Sequence, residues 1–338
     1  MISRARREAG ERSGGRRRLL AAALLLALGY AGLWRYDAPR SPPGAWLARA
    51  GLVPREAQID GRRVRYVRSG NGPSLVLVHG FASSMYTWSE TLPELRRTHD
   101  VVALDLPGFG TSDMPADLSW PDLPRTVTGL LDRLGVARAA LVGHSLGGAV
   151  VTTIASRTPE RVERLVLVDS AGFNLDPAAR PRLVGLAASP ALGAVADHVP
   201  VRRLLVDLGL RQVFHDRTRL TPERSEEYLG PVRRREFLPA MRSLLASRQE
   251  ELRGFEGLLR QVRAPTLLLW GREDRWAPLA HAERFRAGLP SARLVVFDGC
   301  GHVPQEERPA DTLRELRAFL GAAAEVPPER QPGRAERP

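Results

Sequence analysis

The chain of 338 residues has no lysine, a single cysteine and only 6% aromatic residues. The lone Cys300 excludes an intramolecular disulfide and any cysteine-based metal cluster, and it leaves the redox compartment open. Lying between Gly299 and Gly301, it suits a small residue in a tight turn. Without lysine, all fifty basic residues are arginines, and the net charge of +12 rests on them alone. An Arg-for-Lys preference along the whole chain, with abundant Ala, Gly, Pro and Leu, marks a coding bias more than a binding patch. Residues 1–18 alone carry seven Arg against two Glu. No stacked-aromatic or helix-turn-helix pattern accompanies the remaining charge, so a nucleic-acid partner is not expected. Internal repeats are also missing. The 43% hydrophobic and 26% charged residues are a globular mixture. The length holds one large domain plus an insertion, with ample core.

The most informative run present is Gly143-His144-Ser145-Leu146-Gly147. It follows the apolar stretch Ala139–Val142 and precedes Gly148–Arg157, which reads as a helix. This is G-x-S-x-G at a strand-to-helix junction, the setting in which a serine is held on a sharp turn with its hydroxyl exposed. Gly143 and Gly147 remove the Cβ atoms that would clash in so tight a turn. A serine hydroxyl becomes a nucleophile only when a base takes its proton, and the base needs an orienting acid. Of the seven histidines, His302 is the one in place, after the strand-like Leu294–Phe297 and the turn Asp298-Gly299-Cys300-Gly301. The acid is expected after an earlier strand, Pro265–Trp270, where Gly271-Arg272-Glu273-Asp274 follows. Asp274 is the first choice, and Glu273 or Asp169 could serve instead. His144 neighbours the serine and is expected to pack and hydrogen-bond within the turn.

Strand patterns recur along the chain. Gln58–Val67 reads as an antiparallel hairpin turning at Asp60-Gly61. Strands follow at Leu75–Val78, Val101–Leu104, Leu141–Val142, Leu165–Asp169, Thr266–Trp270 and Leu294–Phe297. Helical patterns between them, such as Leu118–Leu134, predict βαβ crossovers. The fold class expected is α/β, with a mostly parallel central sheet flanked by helices. One gap is too long for a single helix: Asp176–Arg253 has helical periodicity and no strand runs, so a helical cap is expected after the sixth strand. Thr221, before Pro222-Glu223, is its expected N-cap. Arg233–Arg235 are expected on solvated cap surface. The expected organisation is a basic segment 1–18, an anchor 19–34, a Pro/Arg/Gly-rich linker 35–57, core 58–175, cap 176–255, core 256–322 and a disordered tail 323–338.

These residues, over about 58 to 322, resemble the α/β-hydrolases, whose triad runs in the order Ser…Asp…His. Asp105-Leu106-Pro107-Gly108-Phe109-Gly110-Thr111-Ser112 is similar to that family's D-x-P-G-x-G-x-S turn, and Gly271–Pro278 and Gly301–Glu306 to its acid and histidine loops. The resemblance implies catalytic Ser145, Asp274 and His302. It implies an oxyanion hole from the amides of Leu146 and Phe81, the latter in His79-Gly80-Phe81, where Gly80 lets the backbone approach the substrate. No cofactor or metal is implied. Serine rather than aspartate at the nucleophile position argues against the dehalogenase and epoxide-hydrolase branches. The elbow and cap resemble those of esterases and lipases. The Ser-x-Gly-Gly elbow and Cys300-Gly301-His302 also resemble hydrolases that cut carbon–carbon bonds in meta-cleavage products. A non-catalytic binding protein of this fold is the reading outside enzymology, and the intact Ser, Asp and His positions oppose it.

Leu19–Trp34 is an uncharged apolar stretch of 16 residues behind Arg16–Arg18. That falls between a signal-peptide core and a full ~20-residue span. The expectation is an uncleaved signal-anchor, with Trp34 and Tyr36 at the interface and the N-terminus held in the cytoplasm by its arginines. The catalytic domain would then lie on the outer side, against ester or lipid substrates. A cleaved signal peptide is one alternative, and a non-membrane amphipathic or disordered tail the other.

Overall fold

A computed structural model describes residues 28–39, 44–173, 202–289 and 291–321. Its strands are β1 (Arg55–Ile59), β2 (Arg62–Ser69), β3 (Ser74–Val78), β4 (Asp100–Leu104), β5 (Ala139–His144), β6 (Val162–Val168), β7 (Thr266–Gly271) and β8 (Ala292–Phe297). They form one eight-stranded sheet in the order β1-β2-β4-β3-β5-β6-β7-β8. β2 runs antiparallel to β1 and β4, and every other pairing is parallel. Asp60 (φ 49°) and Gly61 (φ 74°) turn the β1–β2 hairpin with two positive φ angles in succession, as a type I′ turn requires.

The central strands are apolar throughout because helices cover both faces of a parallel sheet. Successive side chains take opposite faces. Val76 and Val78 join the layer of helices Asp122–Arg133 and Leu146–Arg157, while Leu75 and Leu77 join the layer of Leu92–Leu95 and Pro309–Gly321. Each such fully buried aliphatic side chain contributes about 2 kcal/mol. The helix expected from Leu118 starts only at Asp122. Pro121 disfavours helical geometry at Trp120, and the Asp122 carboxylate accepts Ser119 N–H at 2.9 Å and its hydroxyl at 2.8 Å.

Between β6 and β7 the described residues form helices Arg202–Val213, Pro222–Val232, Phe237–Arg253 and Phe255–Leu259, with no strand among them. Thr221 caps the second of these, its hydroxyl accepting Arg224 N–H at 3.2 Å. Residues 174–201, the first part of the expected cap, and the tail 323–338 lie outside the described residues.

Two expectations need correction. The segment expected as a loose linker is packed: Trp46 and Leu47 of helix Ala45–Arg49, and Leu52, are each 4% exposed. They join the apolar layer to which Leu75 and Leu77 of β3 belong, which fixes residues 44–52 against the sheet. Of Arg233–Arg235 only Arg235 is exposed as expected, while Arg233 and Arg234 are half-buried and bonded. Arg233 pairs with Glu226 and donates to the Asp37 carbonyl, and Arg234 donates to the Ser112 carbonyl at 2.6 Å. Arg203 and Glu226 pair in the interior; the Arg203 backbone N–H also donates to the Asp37 carboxylate (2.8 Å) and its guanidinium to the Ala38 carbonyl (3.0 Å). The N-terminal lead-in is thereby tied to the helices above the sheet.

Residues 28–37 are helical, with Leu28, Tyr30 and Trp34 exposed. The rest of the expected anchor, residues 19–27, lies outside the described residues. No described helix is long and apolar enough to cross a membrane.

Candidate active site

Ser145 links β5 to helix Leu146–Arg157 with φ 49° and ψ −114°. A positive φ at serine costs about 1–3 kcal/mol and persists only where the surroundings impose it. Here Ser145 N–H donates to the Val168 carbonyl (2.9 Å), and the Ser145 carbonyl accepts Ala171 N–H (2.9 Å), so the turn is locked to the end of β6. The flanking glycines are obligatory. A Cβ on Gly143 would lie 2.4 Å from the Gly147 carbonyl oxygen, and one on Gly147 would lie 2.3 Å from that of Val78.

The half-buried Ser145 Oγ lies 2.9 Å from His302 Nε2, and His302 Nδ1 lies 2.7 Å from Asp274 Oδ2. The carboxylate can only accept, so Nδ1 carries the ring proton and Nε2 is free to accept from the serine hydroxyl. Asp274 is fixed from behind: its Oδ1 accepts the amides of Trp276 (2.7 Å) and Ala277 (3.0 Å). Trp276 stacks along His302 with ring centroids 6.0 Å apart.

Neither of the other carboxylates weighed from sequence takes the hydrogen bond of His302 Nδ1, which goes to Asp274. Glu273 accepts Cys300 N–H at 2.9 Å, joining the acid loop to the turn before His302. Asp169 is buried at the end of β6 and accepts Gly271 N–H at 3.0 Å. His144 behaves as a packing residue: its Nε2 donates to the His302 carbonyl at 2.7 Å. Burial, then the neighbouring His302, pushes its pKa well below the usual histidine value, so it stays neutral.

The loop after β3 is held by His79. Its Nε2 accepts Leu106 N–H (3.0 Å) and its Nδ1 donates to the Gly80 carbonyl (2.7 Å), a neutral tautomer that burial favours. A Cβ on Gly80 would meet His144 Nδ1 at 2.7 Å, so only glycine lets this loop lie against the elbow. The amides of Phe81 and Leu146 have no hydrogen-bond partner among the described residues. The Leu146 amide also opens a helix, where the dipole favours negative charge. Asp105 braces the same rim, accepting the amides of Met85 (2.8 Å) and Thr111 (2.9 Å).

Sequence reasoning missed how the His302 loop is anchored. Its N–H donates to the Val213 carbonyl at 2.8 Å. Glu307 accepts Gly301 N–H (2.8 Å) with one oxygen and the amides of His215 (2.9 Å) and Asp216 (2.8 Å) with the other. Glu306 is fully buried, takes hydrogen bonds from Thr87 (2.6 Å) and Tyr228, and pairs with Arg224 (2.7 Å). Only the acidic pair after Val303-Pro304-Gln305 hinted at these roles, and it reads equally as a solvated helix face. The donor atoms of Asp169, Asp274 and His302 lie within 4.8 Å of one another, a spacing that could hold a metal ion. Two of the three already satisfy each other through the Asp274–His302 hydrogen bond.

Comparison with known proteins agrees with this fold. A family model described as alpha/beta hydrolase fold matches residues 73–309. The chain is 32% identical over 274 residues to the uncharacterized hydrolase YugF of Bacillus subtilis, covering 79% of this chain and 97% of that one. It is 32% identical over 266 residues to a 2-hydroxy-6-oxo-6-phenylhexa-2,4-dienoate hydrolase of Comamonas testosteroni, covering 75% and 89%. Among solved structures, a membrane phospholipase A described as a bacterial virulence factor superposes with a TM-score of 0.66 at 30% identity, covering 90% of this chain and 98% of that one.

Proposed function

The chain belongs to the α/β-hydrolase family, and on that footing we propose that it is a serine hydrolase cleaving carboxylic esters with apolar acyl groups or lipid-like character. The observation that carries the reading is the line Ser145 Oγ–His302 Nε2 (2.9 Å) and His302 Nδ1–Asp274 Oδ2 (2.7 Å). Ser145 attacks the ester carbonyl while His302 takes its proton. Asp274 holds the imidazole in the required tautomer and stabilises its charged form. The Phe81 and Leu146 amides receive the developing oxyanion. The alcohol leaves with the proton from His302, and water, activated by the same histidine, releases the acid and restores Ser145. These steps call on no metal or cofactor.

The ester preference draws on the likeness to the membrane phospholipase, which extends over 90% of the chain and so beyond residues 73–309. The likeness to the dienoate hydrolase favours a second reading, cleavage of a carbon–carbon bond in a meta-cleavage product. A panel of p-nitrophenyl esters, phospholipid vesicles and a 2-hydroxy-6-oxo-dienoate separates the two. The ester reading predicts kcat/KM at least about tenfold higher on the best ester, a difference of ~1.4 kcal/mol in transition-state stabilisation. The opposite ranking would establish the carbon–carbon reading.

The same proposal places the protein at a membrane through residues 19–34, with its catalytic domain on the outer side. The exposed Leu28, Tyr30 and Trp34 support it. The full-length chain is expected to sediment with membranes, to stay there in high salt and to be released by detergent. Attachment through arginines alone would be screened and lost in salt. Deleting residues 1–34 should yield a soluble enzyme that keeps Tyr36 on Asp207 (2.6 Å) and Asp37 on Arg203 (2.8 Å). Full-length protein in the soluble fraction would remove the anchor.

A further inference from the structure

We propose that Asp169 is a neutral carboxylic acid that donates its proton to Asp274, making it a positioning residue behind the Ser145–His302–Asp274 line. The inference rests on the serine-hydrolase reading and adds a fourth side chain to it.

Asp169 closes β6, where its own N–H donates to the Leu269 carbonyl at 3.0 Å. Its backbone is left-handed (φ 42°), a conformation that aspartate and asparagine tolerate best among residues with a side chain. Gly271 N–H fixes one carboxyl oxygen at 3.0 Å. The other, Oδ2, is buried with no donor reaching it among the described residues. An ionised oxygen so placed would be an orphaned buried charge, which is costly. A protonated one needs an acceptor, and the site supplies it: donor atoms of Asp169, Asp274 and His302 lie within 4.8 Å of one another.

Among the described residues the titratable groups facing Asp169 are Asp274, His302, Glu307 and Cys300, and none is a permanent cation that would hold a second carboxylate ionised. Two carboxylates this close and this dry do not both carry charge. Burial, then the Asp274 charge, drives Asp169 well above the usual carboxylate range, in agreement with the geometry. Asp274 already accepts from Trp276, Ala277 and His302. A fourth donor spreads its charge and fixes its plane. It therefore also moderates how strongly Asp274 favours the protonated form of the base.

The test is the pH profile of kcat/KM on a p-nitrophenyl ester for the wild type, Asp169→Asn and Asp169→Gly. Asparagine keeps both bonds, its oxygen accepting from Gly271 and its amide donating to Asp274. The acid limb of its profile should coincide with that of the wild type. Glycine deletes the donor without straining the left-handed backbone. Its acid limb should move to higher pH, because an unshared Asp274 charge favours the protonated base, and kcat should fall. If Asp169 is instead ionised, Asp169→Asn removes a negative charge beside the base and its acid limb moves to lower pH; that result overturns the proposal. Coincident limbs in all three proteins overturn it as well. Infrared difference spectra of wild type against Asp169→Asn decide the case if the glycine variant does not fold: the wild type should show a protonated-carboxyl C=O band that the variant lacks, and its absence at neutral pH refutes the neutral acid. A wild type with no esterase activity would fail the ester reading, whereas the infrared band addresses Asp169 alone.

Discussion

Replacing Ser145 by alanine should lower turnover of short p-nitrophenyl esters by about three orders of magnitude or more while leaving the fold intact. The magnitude follows from what a nucleophile and its base supply as a unit. The fold survives because alanine is no larger than serine, and the bonds that lock the elbow are made by its backbone, to Val168 and Ala171. His302→Ala should match it, and the double variant should be little worse than either, since neither group works without the other. A Ser145→Ala protein keeping more than about a hundredth of wild-type turnover would contradict a covalent role for this serine, given the size of the triad contribution.

Asp274→Asn should lower kcat by about 10⁴-fold, with thermal stability little changed. Asparagine can still accept the amides of Trp276 and Ala277 through its oxygen. That leaves its NH₂ facing His302 Nδ1, which can then no longer be a donor. The ring proton is driven to Nε2, where it meets the Ser145 hydroxyl instead of accepting from it. Glu273→Gln should cost far less, because the Cys300 amide still finds an oxygen. Greater damage from Asp169→Asn than from Asp274→Asn would move the acid to the end of β6 and reverse the assignment.

The contrast between these carboxylates shows what was legible in the sequence. Asp274 and His302 lie in short loops directly after strands, and strands of continuous Leu and Val announce themselves; the turn residues around Ser145 do likewise. The order of strands and loops thus puts the three groups at one end of the sheet before any coordinates are known. Asp169 met the same local criteria and lies within 4.8 Å of the Asp274 and His302 donor atoms; only the hydrogen bond of His302 Nδ1 to Asp274 Oδ2 separates it from the role of acid. Local pattern had no access to partners far apart in sequence. Arg224 and Tyr228 meet Glu306 about 80 positions away, and Arg203 meets Asp37 at 166. Such pairs leave no periodicity, because a lone charged residue facing inward looks like any other on a helix. The lead-in was misread for a related reason: Trp46, Leu47 and Leu52 are too few and too irregularly spaced to signal a buried face, yet they fill a gap beside Leu75 and Leu77. Substrate choice is the least legible feature, since one fold hosts many chemistries and no single motif encodes the choice.

The most direct measurement is reaction of the folded protein with a fluorophosphonate, followed by mass spectrometry of its peptides. The account predicts one covalent adduct on Ser145, absent after heat denaturation and absent from both Ser145→Ala and His302→Ala. A native wild-type protein that takes up no label, or that carries it elsewhere with Ser145 unmodified, would contradict the central claim.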